Sequence, residues 1–491
     1  MKKFMLRAST VILMLTAACW FGPANAMPSY ARQTGLDCNS CHIGFQAVPY
    51  FTRTGRLFIM RGFHQPNSVH GKFRETGFDA KGDETPEYGG NYLALNWEDF
   101  FAARFITQLA SGGYSAGSGK RDVTSNPGNR LAFYFTGPVT DWLGVWTEFG
   151  YLGNQSLKAA NTSTTAGQTP GQPTNVNFYA YDEYRLTASK MLGDGSSFIA
   201  MAYGNEYPDA INEFVFPNTQ VRPWSYGQGG VGNEYSTAAY SFYGFWNNSI
   251  LTQYSIISGD SDASFSNGHN NYIALAYDGV PGTGDKFRRE SNDVWWVLDT
   301  VWGDNVGSQV NSTNTSFNCS TACPAGIHSL GFSNRLGSNW VSLGDLKSVN
   351  GTGYETVDTS HAYRLTVQQS VADMGNNSWY QSVALAGANQ DYVSGASSKA
   401  TKLGYQIRYF YNRTYGFEFF VNKTLTFDYT TPAGVEYSAY APVNWGLVAL
   451  WVPAMNINVA LSYSPSKTPV LNQANYQSGG YSWNFLVDFG F

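Results

Sequence analysis

Beyond its first 26 residues the chain has no continuous apolar run approaching the roughly 20 residues that a membrane-spanning helix needs. Charge is scarce as well: Asp, Glu, Lys and Arg make up 13% of the 491 residues, and the formal net charge is −5. So slight a balance lacks the basic footprint of a protein that binds nucleic acid. No Ser-His-Asp grouping, phosphate-binding glycine loop or paired carboxylates stand out, which removes the usual grounds for hydrolytic chemistry. Cysteine is limited to five residues and histidine to six.

What is present points outward from the cytoplasm. Lys2, Lys3 and Arg7 precede an apolar run from Val11 to Phe21, and Ala24-Asn25-Ala26 follows. Together these are the three regions of a secretory signal peptide, with Met27 expected to begin the mature chain. Leu15-Thr16-Ala17-Ala18-Cys19 is a weaker, lipoprotein-like alternative that would start the chain at Cys19. Cys319 and Cys323, close together in a polar stretch, are expected to form a local disulfide in an exported protein.

Aromatic residues reach 16%, with 33 tyrosines, 14 tryptophans and 52 glycines. From about Tyr92 onward the apolar residues fall at period two. Tyr481, Trp483, Phe485, Val487, Phe489 and Phe491 share one face of a terminal segment. Val443, Trp445, Leu447, Ala449 and Trp451 form another face, turning at 453–456 into Ile457, Val459, Leu461 and Tyr463. Strict alternation of this kind suits a strand between lipid and a polar lumen. Further hairpins turn at 137–141, 193–195, Asn247-Asn248, 374–377 and Asn412-Arg413. Longer polar stretches, 110–129, 154–177, 206–234, 303–360 and 465–479, separate them. Short turns on one side and long loops on the other predict an all-β fold: a transmembrane outer-membrane β-barrel of about sixteen antiparallel strands over 86–491. A closed barrel also leaves no unpaired edge, as lipid requires. Glu183, Arg185, Arg364, Gln368, Gln406, Arg408 and Glu418 are expected to face the lumen.

Residues 27–85 differ. Cys38-Asn39-Ser40-Cys41-His42 is a Cys-x-x-Cys-His motif, in which two thioether bonds hold the porphyrin edge and the adjacent imidazole falls under the iron. One covalently bound haem c is therefore expected on Cys38, Cys41 and His42. A short amphipathic helix over 53–63, stopped by a glycine, offers Met60 as the sixth ligand, with His64 and His70 as alternatives. So short a segment cannot build a large core alone. The expectation is a small α-helical cytochrome c domain that plugs the lumen of the barrel, which would otherwise hold an aqueous channel.

The signal peptide, the early Cys-x-x-Cys-His, the Gly-x-x-Phe-x-x-x-Gly-Phe segment from Gly55 to Phe63 and the barrel ending in Phe491 together resemble the fused monohaem cytochrome–porin family. Its known members are outer-membrane ferrous-iron oxidases. The resemblance implies an oxidoreductase in the outer membrane that takes an electron from extracellular Fe(II). The electron would pass through the haem to a periplasmic c-type cytochrome or blue-copper protein. Two other readings stand beside it: a porin or channel whose cytochrome segment gates or docks, and electron transfer from a donor other than iron.

Overall fold

The computed structural model describes residues 29–30, 41–43, 50–64, 100–115, 121–140, 142–152, 183–193, 196–204, 239–258, 269–279, 291–304, 357–372, 377–392, 395, 397–430, 433–440, 443–454, 457–468, 470–471 and 477–490. The expected signal peptide, Cys19, Cys38, His70, the Cys319–Cys323 pair and the 85/86 boundary lie outside the described residues.

Among the described residues eighteen strands run in chain order. They are β1 (Phe101–Ser115), β2 (Arg121–Pro138), β3 (Leu143–Leu152), β4 (Glu183–Leu192), β5 (Ser197–Gly204) and β6 (Ala239–Trp246). Next come β7 (Ile250–Ser258), β8 (His269–Asp278), β9 (Ser291–Asp304), β10 (Val357–Ala372), β11 (Asn377–Tyr392) and β12 (Ser397–Tyr411). The last six are β13 (Tyr415–Thr430), β14 (Glu436–Tyr440), β15 (Asn444–Ala454), β16 (Ile457–Thr468), β17 (Val470–Leu471) and β18 (Gln477–Gly490). The short β14 and β17 pair with each other beside the ring, and β13 bonds directly to β15 and β16 to β18. Sixteen antiparallel strands therefore close the cylinder, β18 returning to β1. At that seam Arg104 donates twice to Asp488, at 3.1 and 2.7 Å, and Gln108 donates to Asn484 at 2.7 Å.

Alternation sets the two faces. On β9, Trp295, Val297 and Asp299 are buried, while Trp296, Leu298 and Trp302 are exposed. On β10, Arg364, Thr366, Gln368 and Ser370 point inward, while Tyr363 and Leu365 point out. Exposed aromatics concentrate at two levels: Trp142, Trp246, Trp296, Tyr411 and Trp451 near the short turns, and Tyr240, Trp302, Tyr363 and Tyr463 toward the other end. Leu275, Leu298, Leu365, Leu403 and Leu461 occupy the band between them. An apolar belt between aromatic girdles is the signature of a barrel in the outer membrane, whose short turns face the periplasm. No helix among the described residues is long and apolar enough to span; the crossing is made by strands.

Turn chemistry fixes the register at the short end. Asn247 and Asn248 (φ 48° and 54°) and Asn412 and Arg413 (φ 50° and 57°) are consecutive left-handed pairs, as tight hairpin turns require. Two sequence-based expectations change. The stretch 110–129 is not all loop: β1 and β2 stay paired as far as Tyr114 and Arg121, with 116–120 outside the described residues. Residues beyond the bilayer have water on both faces, so no hydrophobic alternation marks them as strand. The expected small α-helical cytochrome c domain is also not seen among the described residues. Among the described N-terminal residues there is one eight-residue helix, α1 (Arg53–Met60), plus an isolated antiparallel bridge between His42 and Phe51.

Candidate functional site: the N-terminal segment inside the barrel

Helix α1 begins where the sequence predicts. Thr52 caps it, its side chain accepting from the Gly55 amide at 3.2 Å, which satisfies one orphan donor of the first turn. It ends at Met60, and Gly62 and Phe63 follow in left-handed conformations (φ 67° and 64°). Its apolar side chains, Phe58, Ile59 and Met60, join Phe51 and Phe63 in one cluster with Trp146, Phe198, Tyr243, Phe245, Leu251 and Trp295 of the wall. The helix thus packs against the inside of the barrel.

Polar contacts extend this attachment around the ring. Arg56 is 0% exposed yet lies on a helix otherwise built for an apolar core. It pairs with Asp293 of β9 at 3.0 Å and donates to Ser370 of β10 at 2.9 Å. Ser370 in turn donates to the Phe51 carbonyl at 3.0 Å. Trp295 donates to the same Asp293 carboxylate at 2.6 Å, so that charge is held from two directions. Arg53 pairs with Asp278 and donates to the carbonyl of Asn248 in the β6–β7 turn. Tyr50 donates to Glu418 at 3.0 Å, and the Arg408 guanidinium lies 4.1 Å over its ring while bonding the same carboxylate at 2.7 Å. Burial first, and then the Glu418 carboxylate, push the Tyr50 phenol well above its usual range, so it stays a donor. On the opposite wall, Ser29 is hydrogen-bonded to Thr136 of β2, and Tyr30 stacks on Phe63 with centroids 5.0 Å apart. These partners lie near the short-turn, periplasmic end of their strands.

The candidate haem residues fall on this segment. Cys41 and His42 are half-buried. The Cys41 carbonyl accepts the Thr52 amide at 2.9 Å, and the Ile43 amide donates to Tyr50 at 2.7 Å, so the end of the motif is zipped to the start of the helix. A Cβ at Gly55 would overlap the Cys41 carbonyl, so only glycine permits that approach. A thiol followed by an imidazole, with the His42 ring 4.9 Å from Phe51, is a donor set and an aromatic setting that suit covalent haem attachment. Met60 is completely buried in the helix–wall cluster, which it shares with Phe51. Neither His64 ring nitrogen faces an open position: Nδ1 is 2.7 Å from the Arg61 carbonyl and Nε2 is 2.6 Å from that of Thr140. Among the described residues no three His, Cys, Asp or Glu side chains gather to hold a metal ion.

Arg364, Gln368, Gln406, Arg408 and Glu418 are buried on inward faces, as the alternation predicts, with Arg364 bonded to Asp299 at 2.5 Å. The Glu183 side chain lies outside the described residues. Sequence reasoning missed Arg53, Arg56 and Tyr50 as anchors. Their signal was a pair of arginines within a Phe-, Leu-, Ile- and Met-rich helix that had to be buried.

No family model and no curated protein matches the chain. Solved structures that resemble it include porins and an outer membrane protein. An anion-selective porin from Comamonas acidovorans is 11% identical, with 80% of this chain and 99% of that one covered and a TM-score of 0.42. In-vitro folded OmpT, an outer membrane protein of Vibrio cholerae, is 8% identical over 80% and 96%, with a TM-score of 0.42. A Rhodopseudomonas blastica porin triple mutant is 8% identical over 80% and 100%, with a TM-score of 0.38. The expectation of a fused cytochrome–porin enzyme oxidising ferrous iron is corrected by the chain's own fold. The described residues form a sixteen-strand barrel with one complete short helix, Arg53–Met60, attached to its wall, and no cytochrome c domain is seen among them.

Proposed function

We propose that the protein is an outer-membrane channel of the porin type whose periplasmic mouth is closed by part of its own N-terminal segment, residues 29–30, 41–43 and 50–64. The observation that carries this reading is Arg56: a fully buried guanidinium on the inserted helix, paired with a fully buried Asp293 on the wall. Breaking such a pair by removing one partner costs about 3–5 kcal/mol, so the segment rests in the closed position. Reconstituted in planar bilayers, the full chain should conduct poorly. Arg56→Glu, which sets two carboxylates against each other, should raise ion conductance toward that of an open porin. Equal conductance of the two would sink the reading.

The same segment is proposed to carry one covalently bound haem on Cys38, Cys41 and His42, with Met60 the candidate sixth ligand. When bound, the haem supplies one-electron chemistry. The Cys41–Thr52 and Ile43–Tyr50 hydrogen bonds tie Cys41 and His42 to the start of the helix, near the periplasmic end of the barrel. There it would meet a periplasmic c-type cytochrome or blue-copper protein. Haem that stays with the chain after acid-acetone extraction supports this; haem that extracts, or that stays attached in the double variant Cys38→Ser/Cys41→Ser, overturns it.

A further inference from the structure

Arg53 and Arg56 stand one turn apart on α1, and residues 50–64 contain no carboxylate to balance them. Residues three apart share a helix face, and both guanidiniums reach the same patch of wall. Arg53 pairs with Asp278, and Arg56 pairs with Asp293 at 3.0 Å. Asp278 ends β8 opposite Trp295 of β9, and Asp293 lies two residues before Trp295 on the same inward, buried face. The two carboxylates are thus diagonal neighbours across one ladder, about 7–8 Å apart at Cα. Trp295 is the floor between them. The Arg53 guanidinium stands 5.8 Å from its ring centroid, and its indole N–H donates to Asp293 at 2.6 Å. An aromatic face attracts a cation at about that distance. Neutral acceptors complete the surround: the Asn248 carbonyl for Arg53, and Ser370 for Arg56 at 2.9 Å.

We infer that Asp278, Asp293 and Trp295 form a cation site in the channel wall, that Arg53 and Arg56 are its tethered occupants, and that a linear dication of matching length competes with them and holds the channel open. The inference rests on the closed-channel reading and names the chemistry that regulates it. Two carboxylates at a fixed spacing on an aromatic floor suit a ligand with two positive ends better than a single charge. Withdrawal of the helix takes two positive charges from this patch and no negative one, so the vacated site attracts cations more strongly than the closed one. Arg53 is where a competitor enters: its side chain is 16% exposed, while those of Arg56, Asp278 and Asp293 are 0% exposed. A ligand that binds only the vacated site acts by mass action. At about a hundred times its dissociation constant it raises the open-to-closed ratio about a hundredfold.

The test uses putrescine as the dication and butylamine as a monocation of the same chain length, at constant ionic strength. Strand content and heat-modifiable gel mobility confirm a folded barrel throughout. Putrescine should raise the conductance of the full chain in planar bilayers to a plateau, at a concentration at least tenfold below that of butylamine; no response overturns the competition. Because a wall substitution could itself open the channel, binding is also measured directly, by calorimetry on Arg53→Ala/Arg56→Ala, in which both tethered occupants are gone. This variant should bind putrescine, and adding Asp278→Asn and Asp293→Asn should weaken that binding at least tenfold. If it conducts but does not bind putrescine, or binds equally well without the two carboxylates, the cation site is overturned and the closed-channel reading stands. If it conducts no better than the unsubstituted chain, the closed-channel reading falls and the inference with it.

Discussion

At the scale of single residues, position is decided by partners far away in the chain. Arg56 meets Asp293 and Ser370, more than 200 positions downstream. Arg56→Ala should cost the seated segment about 3–5 kcal/mol, because Asp293 keeps its burial and loses its cation. Trypsin cleavage after Arg53 or Arg61 in the folded barrel measures this as a faster rate, and Asp293→Asn in the same chain should restore part of the protection. His64 adds a pH dependence. Burial pushes its imidazole below the usual value, outweighing the pull of the Thr140 and Arg61 carbonyls in the other direction. A depressed folded-state value means that the native form binds fewer protons than the released one. Its contribution is thus complete above about pH 6.5 and is lost as pH falls below that. Cleavage of the segment should accelerate between pH 7 and pH 5, and that acceleration should vanish in His64→Asn. Neither residue's role could be read locally. The sequence shows an arginine on an apolar helix and a histidine after a glycine, but burial of the first and bracketing of the second arise only when strands from both halves of the chain close around them.

At the scale of elements, most of the fold was legible because lipid imposes it. Each spanning strand must alternate, and Tyr363, Leu365, Arg364 and Gln368 lie on the faces that period two assigns. The Asn-Asn and Asn-Arg turns were legible for a local reason, since few residues other than glycine tolerate consecutive positive φ. Legibility ends where the environment stops discriminating. The outer parts of β1, β2 and β16 are Ser-, Gly- and Asn-rich and read as loop, yet β16 stays paired with β18 as far as Thr468. The helix was predicted from its apolar spacing and its glycine stop, but not its Thr52 cap or its burial against Trp295 and Phe245. The faces differ in what they tolerate. Leu298 is exposed to lipid between the aromatic levels marked by Trp296 and Trp302. Leu298→Arg should destabilise the barrel in lipid vesicles by about 2–4 kcal/mol, the cost of a cation near the bilayer midplane. The same substitution at the exposed His361, which pairs with Trp302 at the aromatic level, should cost less. Equal urea midpoints for the two would contradict the placement of the belt.

For the whole molecule, the barrel and the inserted segment are held by different forces, which predicts the order in which they fail. The barrel is an unbroken ring of antiparallel ladders closed by β1 and β18, in which every spanning strand has two neighbours. In lipid, opening any ladder exposes backbone groups that find no water, so the ring resists denaturant as one unit. The described residues of the segment join none of these ladders. Their hold includes an apolar cluster, ion pairs of Arg53 and Arg56, the Tyr50–Glu418 bond and the close contact of Gly62 with Gly144. Those contacts lie in the lumen, where water and urea enter once the segment loosens. Urea titration of the full chain in vesicles should therefore show two events. Trypsin sensitivity at 53–61 and ion leakage should appear together at low urea, while the folded-barrel band on unheated gels persists to much higher concentration. Gly144→Val should shift the first event to lower urea and leave the second unchanged, because β3 is not itself strained by a side chain there. Leu298→Arg should do the reverse. A single coincident transition in the unsubstituted chain would mean that the segment is part of the barrel's cooperative unit, and that the closure cannot open without unfolding the wall.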